Sequence, residues 1–145
     1  MTSVNLSKEH PAVYQSVVAL EESIQQAAKA ASIDPKLVQL VKIRVSQING
    51  CAFCLRMHTR EAIELGETTD RLAVIAAWWE SQYFSEEEQA ALALAEEVTQ
   101  QSQRPQPKRY AEVFTPEQQS AITWLAIIMN TWNRIAVHSH YPVKP

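Results

Sequence analysis

Three residues near the middle of the chain have types and spacing that suit thiol chemistry. The sequence reads Cys51-Ala-Phe-Cys54, and His58 follows four positions after the second cysteine. If a helix begins at Cys51, the three side chains share one face, because residues three or four positions apart are neighbours on a helix. A helix N-terminus stabilises a thiolate, and a nearby imidazole can accept the thiol proton. The pattern therefore predicts a nucleophile, a base and a second thiol on one side of a helix.

A dithiol placed in this way can reduce a peroxide with no metal and no organic cofactor. One thiolate attacks the O–O bond and becomes a sulfenic acid, which condenses with the second thiol to form a disulfide. An external dithiol then restores both thiols by exchange. We expect the pair to cycle between dithiol and disulfide, with a small organic hydroperoxide or hydrogen peroxide as the substrate.

Two other interpretations of the same residues stay open. Cysteines on an apolar helical stripe can be unreactive core residues, although the complete Cys-x-x-Cys-x-x-x-His grouping weighs against this. The residues could also bind zinc, but a structural zinc site needs four ligands and the chain has no second Cys-x-x-Cys motif. A zinc site would therefore have to add His138 or His140 to Cys51, Cys54 and His58.

Length, composition and charge limit the class of protein. The chain has 145 residues, of which 46% are hydrophobic and 20% are charged, and its net charge is −3. These values are typical of one globular domain spanning residues 1–145. No basic stripe is evident, so neither nucleic acid nor an anionic membrane surface is an expected partner. The N-terminus lacks a secretory pattern, and the most apolar stretch, residues 121–129, is too short to cross a bilayer. We expect a cytoplasmic protein.

Helical periodicity and capping signals predict an all-α fold, a bundle of about six helices. The chain has only two glycines, and each follows a helix-period segment, whereas strands and their turns use many more. No βαβ pattern surrounds the cysteine pair, which disfavours a thioredoxin fold. Asp34, Ser85 and Thr115 carry the signals of helix N-caps. The predicted helices cover about residues 8–31, 35–49, 51–65, 69–80, 86–101 and 116–138, with a linker at residues 103–108.

The last predicted helix is apolar on more sides than one neighbouring helix can cover. Trp124 and Met129 lie off its main apolar seam, so the helix must be buried on several sides. We therefore expect contacts with another subunit in a homo-oligomer. The seam follows alternating four- and three-residue steps and comprises Ala121, Leu125, Ile128, Trp132 and Ile135.

The run from Leu40 to Cys54, followed by His58, closely resembles the alkylhydroperoxidase D-like branch of the carboxymuconolactone decarboxylase family. The resemblance covers most of the chain beyond about residue 34. It implies an all-α fold that assembles into homo-oligomers. It also implies that Cys54 is the peroxidatic cysteine, that Cys51 is the resolving cysteine, and that His58 belongs to a proton relay. The reductant that it implies is a protein dithiol or a lipoyl-type dithiol.

The chain departs from this family pattern at two positions. Gln39 stands twelve residues before Cys51, where the best-known members carry the glutamate that begins the relay. Phe53 stands where those members carry a histidine. A glutamine cannot accept and return a proton as a carboxylate does, so the relay lacks its usual carboxylate. Glu80 is the candidate substitute, although a surface glutamate on a helix is the simpler explanation.

Three functions follow from these residues. The first is a thiol-dependent peroxidase that uses Cys54, Cys51 and His58, with Glu80 as the added carboxylate. The second is a non-enzymatic redox-sensing or binding module on the same fold, in which Gln39 reflects a lost relay. The third is the lactone decarboxylase chemistry of the wider family, which has no use for a dithiol. The intact cysteine pair therefore argues against the decarboxylase.

Overall fold

A computed structural model describes residues 3–101 and 107–145, and within these ranges the chain is all-α. The predicted fold class is confirmed, since each of the six predicted helices has a counterpart. One short helix, α7, was not predicted, and α1 overlaps only the start of the first predicted helix. The elements are α1 (Leu6–Glu9), α2 (Pro11–Ala30), α3 (Pro35–Asn49), α4 (Ala52–Glu64), α5 (Thr69–Val74), a 3₁₀ helix (Ile75–Glu80), α6 (Glu86–Gln100), α7 (Pro107–Ala111) and α8 (Pro116–His138).

Helix α3 is the centre of the bundle and packs against α4, α6 and α8. It is buried on most sides, and Leu40, Val41 and Val45 have no accessible surface. Burial of one such aliphatic side chain stabilises the fold by about 1.5–3 kcal/mol. The polar side chains that the same helix buries include Gln39 and Lys42. A central helix that carries polar side chains inside the bundle can support a site there.

Three helices begin directly after the N-cap residues that the sequence predicts. The Asp34 carboxylate accepts a hydrogen bond from the Lys36 amide at 2.8 Å, and Ser85 and Thr115 both form complete capping boxes. Gly50 ends α3 with φ at 68°, in the left-handed region that glycine adopts without steric cost. This sharp end lets the next residue, Cys51, serve as the N-cap of α4.

Three boundaries differ from the prediction. The first predicted helix is divided at His10, whose φ and ψ of −132° and 71° are non-helical, because a residue before proline is driven out of the α region. The helix predicted over residues 69–80 changes to 3₁₀ geometry at Ile75, with non-helical angles at Ala77. Part of the predicted linker is helical, since α7 begins at Pro107, and residues 103–106 lie outside the described ranges.

Helix α2 packs against α8, and its buried residues are Ile24 and Ala28. Another stripe of the same helix lines a cavity and comprises Tyr14, Val18, Glu21 and Gln25. These four residues recur at steps of four, three and four, which places them on one helical face. In the described part of the chain, no helix combines the length and the apolar content that crossing a bilayer requires.

Candidate active site

The cysteine pair lies at the N-terminus of α4. Cys51 is the N-cap, and its sulfur accepts a hydrogen bond from the Cys54 amide at 3.3 Å. The two cysteines are joined by a disulfide, with their Cα atoms 5.4 Å apart. Cys51 and Cys54 are 1% and 2% exposed, so both sulfurs are shielded from bulk water. The helix begins at Ala52 rather than at Cys51, yet the sulfurs still lie where amide groups and the helix dipole stabilise negative charge.

A cavity of about 470 Å³ opens beside this helix end. Cys54 and His58 line it, whereas Cys51 is not part of its wall. Its size is within the range of small-molecule sites, and four helices and the C-terminal tail contribute to it. The other lining residues are Tyr14, Val18, Glu21, Gln25, Gln39, Lys42, Phe53, Met57, Glu61, Trp132, Ala136 and Tyr141.

Two oxygen atoms orient the imidazole of His58. Its Nδ1 atom lies 3.1 Å from Glu61 Oε2 and 3.1 Å from Gln39 Oε1. A carboxylate can only accept, so Nδ1 carries the hydrogen and donates it to both oxygens. The Nε2 atom then holds the lone pair, and it makes no hydrogen bond to any described residue. The neutral ring can therefore accept a proton at Nε2 from a group in the cavity.

The pKa of His58 lies below its usual value of 6.5. Burial is the largest cause, and the nearby positive charge of Lys42 lowers the pKa further. The carboxylates of Glu61 and Glu21 oppose both effects without reversing them. The imidazole is consequently neutral near pH 7, which is the protonation state that a base requires.

A buried ion pair lies against the same cavity. Lys42 is 5% exposed, and its Nζ atom donates a hydrogen bond to Glu21 Oε1 at 3.0 Å. Gln25 donates to the same oxygen at 2.8 Å, and Trp132 Nε1 donates to Glu21 Oε2 at 3.1 Å. Burial alone would raise the pKa of Glu21, but the charge and hydrogen bonds of Lys42, with Gln25 and Trp132, hold it below its usual range.

Aromatic side chains form much of the remaining wall. Tyr14 and Trp132 meet edge to face with ring centroids 5.6 Å apart, and Phe53 and Tyr141 do so at 5.1 Å. Phe53, which stands where the family pattern has a histidine, therefore contributes to an apolar wall. The cavity therefore combines polar side chains with an aromatic wall, and this combination fits an organic molecule with one reactive polar end.

A network of side-chain amides holds the end of α3 against α8. Asn49 Nδ2 donates to Asn130 Oδ1 at 2.9 Å and to Asn133 Oδ1 at 3.0 Å. Asn133 donates in turn to Ser46 Oγ at 3.0 Å. None of the buried side-chain polar atoms of this network lacks a hydrogen-bond partner. Because Asn49 precedes Gly50 and Cys51, this network fixes the position of the chain as it enters the cysteine pair.

The structure does not bring every candidate residue to the cavity. Glu80 is exposed at the end of the 3₁₀ helix and lines a separate surface depression with Val74 and Tyr83. The carboxylate beside His58 is that of Glu61 instead. His138 and His140 are exposed, and neither lines the cavity that contains Cys54. Among the described residues, no three His, Cys, Asp or Glu side chains are grouped closely enough to hold a metal ion.

Sequence reasoning missed three cavity residues. Glu61 lies three positions after His58, so helical spacing alone could have identified it. Lys42 lies in an otherwise apolar stretch of α3, and a lysine in such a stretch signals a buried charge that needs a partner. Its partner Glu21 gave no signal, because it lies on a different helix and local spacing does not specify which side chains meet when two helices pack.

The family model of the carboxymuconolactone decarboxylase family matches residues 11–97. A relative from Bacillus subtilis, the uncharacterised protein YdfG, is 39% identical over 118 residues, which are 79% of this chain and 80% of YdfG. The chain belongs to the carboxymuconolactone decarboxylase family. The resemblance found in the sequence is thereby confirmed.

Solved structures of similar fold add detail to this assignment. ATU0492 from Agrobacterium tumefaciens, a protein of unknown function named as a candidate AhpD antioxidant defence protein, superposes with a TM-score of 0.87. It is 32% identical, and the match covers 99% of this chain and 100% of ATU0492. This likeness places the chain in the alkylhydroperoxidase D-like branch of the family. The debrominase Bmp8 superposes with a TM-score of 0.78 at 18% identity, covering 94% of this chain and 74% of Bmp8, and this likeness is one of fold alone.

Proposed function

We propose that this family member is a thiol-dependent peroxidase that reduces organic hydroperoxides through Cys54 and Cys51. One observation carries the proposal: Cys54 and a neutral His58 line one cavity, and Cys51 lies close enough to form a disulfide with Cys54. The likeness to ATU0492, a candidate antioxidant defence protein, supports it. The cycle needs neither a metal nor an organic cofactor, because the two thiols supply the electrons.

In the first step, His58 Nε2 takes the proton of the Cys54 thiol. The thiolate, stabilised at the N-terminus of α4, attacks the terminal oxygen of the hydroperoxide R–O–O–H. An S–O bond forms and the O–O bond breaks, so sulfur is oxidised to a sulfenic acid and the electron pair of the O–O bond passes to the oxygen attached to the organic group. The oxygen that stays with the organic group leaves as an alkoxide and takes the proton from His58.

In the second step, the sulfur of Cys51 attacks the sulfenic acid of Cys54. A disulfide forms, and the hydroxyl group leaves as water with the proton of the Cys51 thiol. An external dithiol then reduces the disulfide by exchange and is itself oxidised to a disulfide. The balanced reaction converts one hydroperoxide and one dithiol into an alcohol, water and a disulfide.

We assign to Glu61 the role that the missing family glutamate has in the relay. Its carboxylate accepts a hydrogen bond from His58 Nδ1 and thereby fixes the tautomer with a free lone pair on Nε2. It also stabilises the imidazolium that forms when His58 holds the thiol proton. Gln39 accepts from the same nitrogen, so it contributes orientation but no charge.

A thiol titration tests the proposal. The reduced protein receives one equivalent of cumene hydroperoxide, and free thiols are counted before and after the addition. We expect both thiols to be lost and to return with dithiothreitol. With excess dihydrolipoamide, we expect many equivalents of peroxide to be consumed. Retention of both thiols after peroxide addition would refute the proposal.

Two matched serine variants separate the roles of the two sulfurs. Cys51→Ser should react once with peroxide and leave a sulfenic acid that dimedone traps. Cys54→Ser should not react, although it retains a cysteine on the same helical turn. The reverse pattern would make Cys51 the attacking sulfur.

A redox-sensing module is the second candidate function, and Gln39 is the observation that favours it. A sensor would lose both thiols to one equivalent of peroxide but would not turn over with an added dithiol. Sustained consumption of peroxide in the presence of dihydrolipoamide therefore separates the enzyme from the sensor.

We further propose that the protein acts in the reducing cytoplasm as a homo-oligomer, with a protein dithiol or a lipoyl-type dithiol as its reductant. Trp124 is 44% exposed on α8 and Ile127 lies beside it, so this helix keeps apolar surface that a second copy could cover. Light scattering coupled to size exclusion would give the mass in solution. A monomer at micromolar concentration would contradict the assembly and leave the thiol chemistry unaffected.

A further inference from the structure

Lys42 has hydrogen-bonding capacity that its ion pair does not use. The side chain is almost completely buried, and it lies against the cavity that contains Cys54 and His58. An ammonium group carries three N–H donors. Among the described residues, only Glu21 accepts a hydrogen bond from Lys42 Nζ. The remaining donors are available to a molecule inside the cavity.

Glu21, in contrast, has no comparable spare capacity. One of its oxygens accepts from Lys42 and Gln25, and the other accepts from Trp132. A buried ammonium would lose its charge if no anion were close, so Glu21 keeps Lys42 charged. The pair therefore supplies a fixed cation with its donors still free, rather than a fully satisfied structural contact.

The position of Lys42 suits the reacting end of the cavity. It lies one helical turn after Gln39, and Gln39 contacts the imidazole of His58. The two side chains thus extend from neighbouring points on the same face of α3. The charge of Lys42 also acts on His58, whose pKa it helps to lower. A ligand group that contacts Lys42 would lie in the same cavity as Cys54 and His58.

We propose that Lys42 Nζ donates a hydrogen bond to the leaving oxygen of the hydroperoxide and stabilises the negative charge that develops there. This inference rests on the peroxidase function proposed above. When the Cys54 thiolate forms its S–O bond, the O–O electron pair passes to the oxygen attached to the organic group. That oxygen then receives its proton from His58, and Lys42 keeps its own protons throughout.

The physical reason for such a group is the weak acidity of alcohols. An alkoxide is a poor leaving group, and a cation already fixed in a site shielded from water stabilises it without any reorganisation. When a peroxyacid is the substrate, the leaving group is a carboxylate, whose negative charge needs far less stabilisation by the protein. Dependence on Lys42 should therefore follow the basicity of the leaving oxygen.

The test compares leaving groups in single-turnover reactions of the reduced protein. The probes are tert-butyl hydroperoxide, cumene hydroperoxide and peracetic acid, and the rate of thiol loss is measured for each. For Lys42→Met we expect a rate decrease of about 100-fold with the two alkyl hydroperoxides, the usual effect of removing one such donor. With peracetic acid we expect a much smaller decrease. Lys42→Arg should restore most of the rate with the alkyl hydroperoxides, since it restores a cation.

Two controls separate this effect from charge and from folding. Lys29→Met removes an exposed lysine on α2 and changes the net charge equally, so it should leave all three rates unchanged. If Lys42→Met folds poorly because Glu21 loses its counterion, the double variant Glu21→Gln/Lys42→Met removes both charges together. The double variant should show the same selective loss with alkyl hydroperoxides.

The outcomes are distinguishable. An equal loss of rate with all three peroxides would overturn the role of Lys42, while the wild-type protein would remain a peroxidase. Unchanged rates for Lys42→Met would overturn it as well. If the wild-type thiols react with none of the three probes, the proposed function fails and this inference fails with it.

Discussion

The thiol end and the ion-pair end of the cavity are assembled from very different lengths of chain. Cys51, Cys54 and His58 lie within eight consecutive positions, at the N-cap and on the first two turns of α4. The Glu21 carboxylate contacts Lys42 on α3 and Trp132 on α8, and the latter contact spans 111 positions. The thiol end therefore depends on the geometry of one helix, whereas the ion-pair end depends on the packing of three helices. Substitutions at the thiol end should change the reaction rate. Substitutions at the ion-pair end should also change the free energy of unfolding.

The largest effect on rate among the residues around the sulfurs is expected at His58. His58→Gln removes the base, and general acid–base groups typically contribute about 10²–10⁴-fold, so kcat/KM for cumene hydroperoxide should decrease by that order. In the wild-type protein, the midpoint of the decrease in kcat/KM on acidification should lie below pH 6.5, because burial and Lys42 hold the pKa of His58 below 6.5. His138→Gln, an exposed histidine near the end of α8, is the control. A midpoint well above pH 7 would contradict the assignment.

The next largest effect is on folding, and it concerns Glu21. Glu21→Gln leaves Lys42 charged, buried and unpaired, which should lower the free energy of unfolding by about 3 kcal/mol in urea denaturation. Glu22→Gln, its exposed neighbour, should change it by less than about 0.5 kcal/mol.

The Glu21 effect has a defined pH dependence. The pKa of Glu21 is lower in the folded protein than its usual 4.5, so its contribution is present above pH 4.5 and is lost as pH falls through the folded pKa. The difference in the free energy of unfolding between the wild-type protein and Glu21→Gln should therefore decrease on acidification. A difference that is constant from pH 7 to pH 3 would mean that the ion pair does not stabilise the fold.

A smaller effect tests the carboxylate beside the thiol end. Glu61→Gln should decrease kcat/KM by about 10-fold, because the imidazolium loses a hydrogen bond to a charged group that is worth about 1.5 kcal/mol. The pKa of His58 should fall further, so the decrease in rate at low pH should shift to lower pH. Adding Gln39→Glu in the Glu61→Gln background should recover activity, since it returns a carboxylate to Nδ1. No recovery would mean that the position of the carboxylate matters and not its charge alone.

The smallest effect is expected at the exposed glutamate that the sequence suggested. Glu80→Gln should change kcat/KM by less than about twofold, because Glu80 lies outside the cavity and surface charges are screened by solvent. Glu61→Gln is its matched comparison, as both remove one carboxylate from a helix. A larger loss for Glu80→Gln than for Glu61→Gln would reverse our assignment of the carboxylate.

Local sequence signals predicted the helices well where a cap or a breaker was present. The starts of α3, α6 and α8 follow from Asp34, Ser85 and Thr115, whose side chains bond to amides two or three residues away. The change to 3₁₀ geometry at Ile75 had no such signal, because it depends on how that segment packs. The break at His10 was not predicted, although Pro11 restricts the backbone of the residue before it.

The sequence by itself determined the all-α class, the family, and the placement of two sulfurs and an imidazole around the N-terminus of one helix. These features depend on residues a few positions apart, whose relation is set by backbone geometry. Helical spacing alone places Glu61 beside His58, whereas only the tertiary structure decided that Glu80 lies outside the cavity, that Gln39 contacts the same nitrogen, and that Glu21 pairs with Lys42. These features depend on how separate helices pack, and no local pattern specifies which side chains of different helices will meet.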